Sequence, residues 1–207
     1  MDRTVTIIDF GIGNLKSVQN AFTYLGCDVQ VTANPEQVRN ARTLVLPGVG
    51  SFRAAMNRLN ESGLAIAIKD AVGNQGVKLL GICLGLQLIG QMSTEDGATD
   101  GLKLVNGHTD VFKIVSGSEI KIPHVGFNTV NFSKESRLYR GLENPSDFYF
   151  THGYRMEMCD PPVSIGWAQH GERFVASIEF ENIYATQFHP EKSQSNGLMV
   201  LKNFVEI

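Results

Sequence analysis

Lys78–Met92 reads KLLGICLGLQLIGQM. A short apolar run passes into one cysteine set between two glycines, and apolar residues at helical spacing follow. Leu84, Leu88 and Met92 recur every four positions, which places them on one face of a helix. The spacing predicts a buried strand, a sharp turn and a helix, with Cys83 at the corner. Gly81 and Gly85 leave room there for a tight backbone and for the close approach of a ligand. Such a corner is the cysteine counterpart of the G-x-S-x-G elbow, which lifts a nucleophile above a sheet edge. It also sets the sulfur beside a helix N-terminus, where the dipole favours thiolate. A buried cysteine in an ordinary strand fits the same five residues, so the rest of the chain must decide.

Upstream, strands and helices alternate. Thr4–Ile8 (TVTII) is a β-branched run of buried-strand length. After the turn Asp9–Asn14 comes a helix with Leu15, Val18, Phe22 and Leu25 on one face and Gly26 as its stop. The turn is not a dinucleotide fingerprint, because Lys16 stands where the third glycine belongs and Thr32, not an acid, ends the second strand. Asn14 reads more simply as a helix N-cap. Asp28–Thr32 is a second strand, Pro35 opens a helix to about Ala41, and Thr43–Leu46 is a third strand. This strand runs into Pro47–Phe52 (PGVGSF), a turn whose amides can face outward as an oxyanion hole or serve only as a turn. Ser51–Asn60 and Leu64–Val72 read as helices.

This alternation predicts an α/β fold with a mostly parallel, doubly wound central sheet flanked by helices. Ligands bind at the carboxyl ends of such strands, so Asp9–Asn14, Pro47–Phe52 and Cys83 fall at one edge. Past Met92, β-like runs recur at Leu102–Val105, Asp110–Val115, Val125–Phe132, Phe148–Glu157, Ser164–Gln169, Phe174–Glu179 and Ile183–Gln187. They predict added antiparallel strands in the C-terminal half. A last helix begins near Ser195 with Leu198, Leu201 and Val205 on one face. No linker or repeat interrupts the 207 residues, so a single domain, 1–207, is expected.

Composition excludes several functional classes. With 43% hydrophobic and 19% charged residues the chain reads as globular, not disordered. A net charge of −3 supplies no basic footprint, so neither nucleic acid nor an anionic membrane is an expected partner. No apolar run approaches the roughly 20 residues that cross a bilayer, and MDRTVTIIDFG has no signal-peptide n-region or cleavage site. The three cysteines are far apart without a C-x-x-C, which argues against a disulfide framework and for a reducing, cytoplasmic setting.

A thiolate nucleophile needs a base, and the base needs a group to orient it. None of the five histidines is paired at metal-ligand spacing, so no metal or cofactor is expected. His189 differs from the others because it follows the apolar run Ile183–Phe188 and stands in QFHPEKS, Gln187–Ser193. Pro190 prevents helix continuation and fixes an extended turn. Glu191 can then return toward the imidazole and hold its tautomer.

GICLGLQ at Gly81–Gln87, together with QFHPE at Gln187–Glu191, closely resembles the class I (triad) glutamine amidotransferases, and the resemblance covers essentially all of the chain. It implies that Cys83 attacks the side-chain amide of L-glutamine, that His189 transfers protons and that Glu191 orients His189. Glutamate and ammonia are the implied products, by way of a γ-glutamyl thioester. The motifs IDFGIGNL (Ile8–Leu15), LPGVGSF (Leu46–Phe52), KIPHVGFN (Lys121–Asn128), FYFTHGY (Phe148–Tyr154) and HPEKS (His189–Ser193) resemble the glutaminase subunits of imidazole glycerol phosphate synthases.

In that branch the resemblance implies an oxyanion hole at Val49 and Gly50, with Leu84 offering the other amide. It implies bound glutamine beside Gly50, Gln87, Tyr149, His152, Gly153 and Tyr154. Asn14 and Lys192 match positions facing a separate (β/α)8-barrel synthase. The implied assembly is a heterodimer in which ammonia crosses a protected channel, and the barrel forms imidazole glycerol phosphate and AICAR in histidine biosynthesis. Three positions depart from the pattern: Phe127 replaces a usual Trp, Gly153 a small hydroxyl residue and Leu86 a common Met. Two other functions share the elbow. One is a paralogue feeding a related barrel that amidates a nucleotide-activated sugar. The other is a free-standing γ-glutamyl thiol hydrolase, which the PGVG loop and Lys192 disfavour.

Overall fold

The computed structural model describes residues 3–113, 120–160 and 164–207. Its first half follows the expected alternation: β1 (Thr4–Ile8), α1 (Leu15–Tyr24), β2 (Asp28–Thr32), α2 (Pro35–Arg39), β3 (Thr43–Gly48), α3 (Phe52–Glu61), α4 (Leu64–Lys69), β4 (Lys78–Cys83) and α5 (Leu84–Leu88). Side chains set several of these ends. Asn34 caps α2 by accepting from the Glu36 amide, with Pro35 in the first turn. Ser51 caps α3 by accepting from the Ala54 amide. Asn14 stands before α1 without capping it, and its Nδ2 donates instead to Ser17 Oγ at 2.8 Å.

The second half supplies β5 (Met92–Ser93), β6 (Thr99–Asp100), β7 (Gly107–Val111), β8 (His124–Val130), β9 (Ser146–His152), β10 (Tyr154–Met158), β11 (Ser164–His170), β12 (Glu172–Phe180), β13 (Ile183–Thr186) and α6 (Gln194–Glu206). The central sheet runs β11-β12-β13-β4-β3-β1-β2. The five strands from β13 to β2 are parallel, and β11 and β12 add to the edge antiparallel. A four-stranded sheet, β10-β7-β5-β6, and the β8–β9 hairpin lie outside it. The central strands alternate between two cores. Leu44, Leu46 and Leu79 pack with α3 and α4 on one face. Val45, Leu80 and Ile82 pack on the other with Phe22 of α1, Phe148 of β9 and Phe204 of α6. Burial on both faces is why these strands read as unbroken apolar runs.

One expected helix is cut short and one expected strand is absent, and one interaction accounts for both. The helix after Cys83 stops at Leu88, so Met92 lies in β5 rather than on its face, and Leu102–Val105 is not a strand. The amides of residues 102–105 turn onto the end of α5 instead. Leu102 donates to Leu88 O at 2.7 Å, Lys103 to Gly90 O at 2.8 Å, and Leu104 and Val105 to Ile89 O at 2.9 and 3.1 Å. Those carbonyls are the acceptors that further helical turns would need, so the incoming segment ends the helix. Elsewhere the expected Phe148–Glu157 run is two strands broken at Gly153, and Leu64–Val72 leaves α-helix at Lys69 for a π turn over Asp70–Asn74. The run expected over Asp110–Val115 is covered by β7 as far as Val111, while positions 114 and 115 fall outside the described residues.

The turn at Cys83 depends on close backbone contact. A β-carbon at Gly85 would lie 1.9 Å from Leu46 O, and one at Gly81 would lie 2.8 Å from the Gly85 carbonyl. At Gly73 a β-carbon meets nothing within 4 Å. Gly85→Ala is therefore expected to lower the melting temperature by about 5–10 °C, and Gly73→Ala to leave it nearly unchanged. Equal melting curves for the two variants would show that the backbone contact can relax.

Candidate active site

β4 lies between β3 and β13 in the middle of the sheet. Its last residue, Cys83, turns the chain with φ +56° and ψ −104°, backbone angles costly for a residue with a side chain. Gly48 pairs with Cys83 in the β3–β4 register, which puts the PGVG turn beside the sulfur. Thr186 of β13 pairs with Ile82, so the three residues after it carry His189 past the same edge. Parallel topology thus brings residues 83 and 189 together across 106 positions of sequence.

The His-Pro-Glu turn is anchored from two sides. His189 N donates to Tyr149 O at 2.8 Å, and Ser193 Oγ donates to His189 O at 2.6 Å while accepting from Tyr149 N at 2.9 Å. On the helix side, a β-carbon at Gly197 would sit 1.9 Å from Pro190 O, so α6 can pack directly on the turn. His189 Nδ1 lies 2.7 Å from Glu191 Oε1, with both side chains almost fully buried. Its Nε2 is buried without a hydrogen-bond partner. Burial disfavours the imidazolium, but pairing with Cys83 and Glu191 outweighs it and pushes the His189 pKa up to about 9.

Cys83 opens onto a cavity of about 520 Å³. Val49 and Gly50 of the PGVG turn, Leu84 and Gln87 of α5, and His152, Gly153 and Tyr154 line it. Tyr149 is not among its lining residues; its backbone holds the His189 turn, and its ring packs on Phe127 at 5.6 Å between centroids. Lys192 Nζ sits 5.7 Å from the same ring, and Asn14 is exposed on the loop after β1. Sequence reasoning missed Ser51, Glu95, Pro123 and Thr151, which also line the cavity. Glu95 lies in the polar stretch after β5, which reads as an ordinary turn. Its carboxylate accepts from the Phe52 amide at 2.9 Å, and burial raises its pKa despite that bond.

A second histidine population behaves in the opposite way. Burial pushes His152 down to about 3, and burial with His170 nearby pushes His124 down to about 4. Both are neutral at pH 7. Their stability contribution is complete above the unfolded value of 6.5 and is lost as pH falls from there toward 4 and 3. His189 contributes in the other direction, fully below 6.5 and decreasingly as pH rises through about 9. Melting temperature should therefore fall on acidification from pH 6.5 to 4.5, and more shallowly in His124→Phe. An identical slope in that variant would exclude His124 as a source of the acid loss.

The family model described as Glutamine amidotransferase class-I matches residues 6–207. The imidazole glycerol phosphate synthase subunit HisH of Moorella thermoacetica is 45% identical over 205 residues, spanning 99% of this chain and 95% of that protein. Subunit HisH 1 of Campylobacter jejuni strain RM1221 is 43% identical over 203 residues, spanning 98% of this chain and 100% of that one. Among solved structures, a chain of PurLQS from Thermotoga maritima superposes with a TM-score of 0.74 over 100% of this chain and 99% of that chain, at 13% identity. That likeness carries the fold, and the sequence relatives carry the family. The chain belongs to the class-I glutamine amidotransferases and, within them, to the group of HisH subunits.

Proposed function

We propose that this chain is the glutaminase subunit of an imidazole glycerol phosphate synthase, acting as a single cytoplasmic domain beside a (β/α)8-barrel partner. The observation that carries the reading is the buried Cys83, His189 and Glu191 constellation at the edge of a cavity large enough for an amino acid. The Cys83 thiolate attacks the side-chain carbonyl carbon of L-glutamine. Amides of the Val49–Gly50 turn and of Leu84 take the charge developing on oxygen. His189, held by Glu191 through Nδ1, gives its Nε2 proton to the departing nitrogen, and ammonia leaves a γ-glutamyl thioester. His189 then takes a proton from water, which releases glutamate and restores the thiolate. Glu95 places a carboxylate in the cavity that suits the α-ammonium group of the substrate, while Gln87 and Tyr154 frame its side chain.

The HisH relatives support the histidine-pathway barrel as the recipient of the ammonia rather than a paralogous one. The β8–β9 hairpin offers a docking face for it. Val125 and Phe127 are 59% and 52% exposed there, Tyr149 packs on Phe127, and Lys192 lies over the Tyr149 ring. An exposed apolar patch with a cation at its rim is suited to a protein partner.

In the assembled complex, Cys83→Ala should abolish glutamine-dependent synthesis, with at least about a thousandfold loss of glutamine hydrolysis. Synthesis from added ammonium salt should remain at the wild-type rate. Equal loss of both activities would mean that Cys83 supports assembly rather than chemistry.

A further inference from the structure

Two hydrogen-bond chains meet at the Tyr154 carbonyl, one from the β8 strand and one that reaches the sulfur of Cys83. Asn128 Oδ1 accepts from the Thr129 amide at 2.8 Å, which fixes the orientation of its side-chain amide. Its Nδ2 donates to Gln169 O at 2.8 Å and to His124 Nε2 at 3.2 Å. His124 therefore carries its proton on Nδ1 and gives it to His152 Nε2, 3.1 Å away. His152 Nδ1 donates in turn to Tyr154 O at 2.8 Å. A carbonyl only accepts, so the amide at one end and the carbonyl at the other fix both tautomers. Tyr154 O also accepts from Gln87 Nε2 at 3.1 Å, and the second Gln87 hydrogen goes to Gln187 Oε1 at 3.2 Å. What remains to Gln187 is its Nε2, which faces Cys83 Sγ at 3.7 Å.

We propose that Gln187 is a catalytic residue: its side-chain amide donates to the Cys83 sulfur and favours the thiolate in attack position, while the Tyr154 carbonyl, acting through Gln87, keeps that amide facing the right way. This rests on the reading of Cys83 as the nucleophile. A hydrogen bond from a neutral N–H to an anionic sulfur is stronger than one to a thiol, so it selects the charged state. Each protonation state of Cys83 then has its own partner. The thiol can donate to Thr151 O at 3.8 Å, and the thiolate accepts from Gln187. A reversed Gln187 amide would set an oxygen lone pair against the sulfur, and the Gln87 donor at Oε1 prevents that reversal. Gln187 is fully buried and Gln87 nearly so, which leaves water poorly placed to take over the bond between them. The chain from β8 also redefines His152. Both of its ring nitrogens are engaged within the protein, so it meets glutamine through backbone and ring edge rather than through a hydrogen bond.

The test uses the chain assembled with its barrel and compares wild type with Gln187→Met, which keeps length without a donor, and Gln187→Glu, which keeps shape and reverses the charge preference. Two quantities are read: kcat and KM for glutamine, and the rate of Cys83 alkylation by iodoacetamide at pH 7 relative to pH 9.5. The titratable groups around Cys83 are His189 with Glu191 from the turn and His152, Tyr154 and Glu95 from the cavity lining, and all are retained in these variants. Gln187→Met is expected to lower kcat about ten- to a hundredfold with KM within about twofold, and to lower the alkylation ratio. Gln187→Glu should lower both further. Ammonia-dependent synthesis at the wild-type rate reports that each variant is folded and assembled. If Cys83→Ala is inactive while both Gln187 variants keep wild-type kcat and alkylation ratio, the inference falls and the nucleophile stands. If Cys83→Ala retains activity, the underlying assignment falls first.

Discussion

The carbonyl oxygen of Leu46 lies 1.9 Å from the place where a β-carbon on residue 85 would be. That approach lets α5 start directly above β3, and it forces the chain to leave β4 through Cys83 at φ +56°. A non-glycine residue in this region costs about 1–2 kcal/mol. Burial of Leu84, Leu86 and Leu88 behind the turn offsets it, since each is at most 2% exposed. The strain is therefore held in place by packing, and its product is a sulfur raised above the sheet rather than buried within it. The PGVG turn and the His189 turn are both positioned relative to that corner by strand register.

Charge within the site is partitioned by the partners each group meets. His189 and His152 are both almost fully buried, yet one is pushed up to about 9 and the other down to about 3. Desolvation acts the same way on both. The difference is that His189 faces a carboxylate and the sulfur, whereas His152 faces a carbonyl and a neutral ring. One histidine can thus carry a proton near neutral pH, and the other cannot. Two residues of one type, in one site, are given separate roles by what surrounds them.

Much of the central sheet was legible because its order follows from apolar runs separated by helical periodicity, and β1 to β4 appear within a residue or two of expectation. The elbow and the His-Pro-Glu turn were legible for a different reason, since glycine and proline restrict the backbone before any tertiary contact forms. What failed was whatever depended on a distant partner. The end of α5 is set by amides 13 to 16 residues away, and no local propensity records them. Glu95 reaches the cavity because β5 and β6 fold its turn back over the start of α3. The Gln87 and Gln187 contacts join residues one hundred positions apart. Gln187 stands two residues before His189, and nothing in the local sequence marks its side chain as reaching the sulfur.

The β8–β9 hairpin explains why the departures at Phe127 and Gly153 are tolerable. On β8, odd positions point outward and even ones inward, so Phe127 is 52% exposed while His124 and Asn128 join the internal hydrogen-bond chain. Phenylalanine in place of tryptophan keeps an aromatic face against Tyr149 and removes only an indole donor at the surface. Gly153 differs in kind. Its φ is not left-handed, and a β-carbon there would meet Ile122 Cγ2 at an ordinary 3.6 Å, so the backbone does not demand glycine. A hydroxyl is absent at position 153, and His152, with both ring nitrogens bonded within the protein, offers the cavity no free ring nitrogen. The polar residues left to line the cavity are Ser51, Gln87, Glu95, Thr151 and Tyr154.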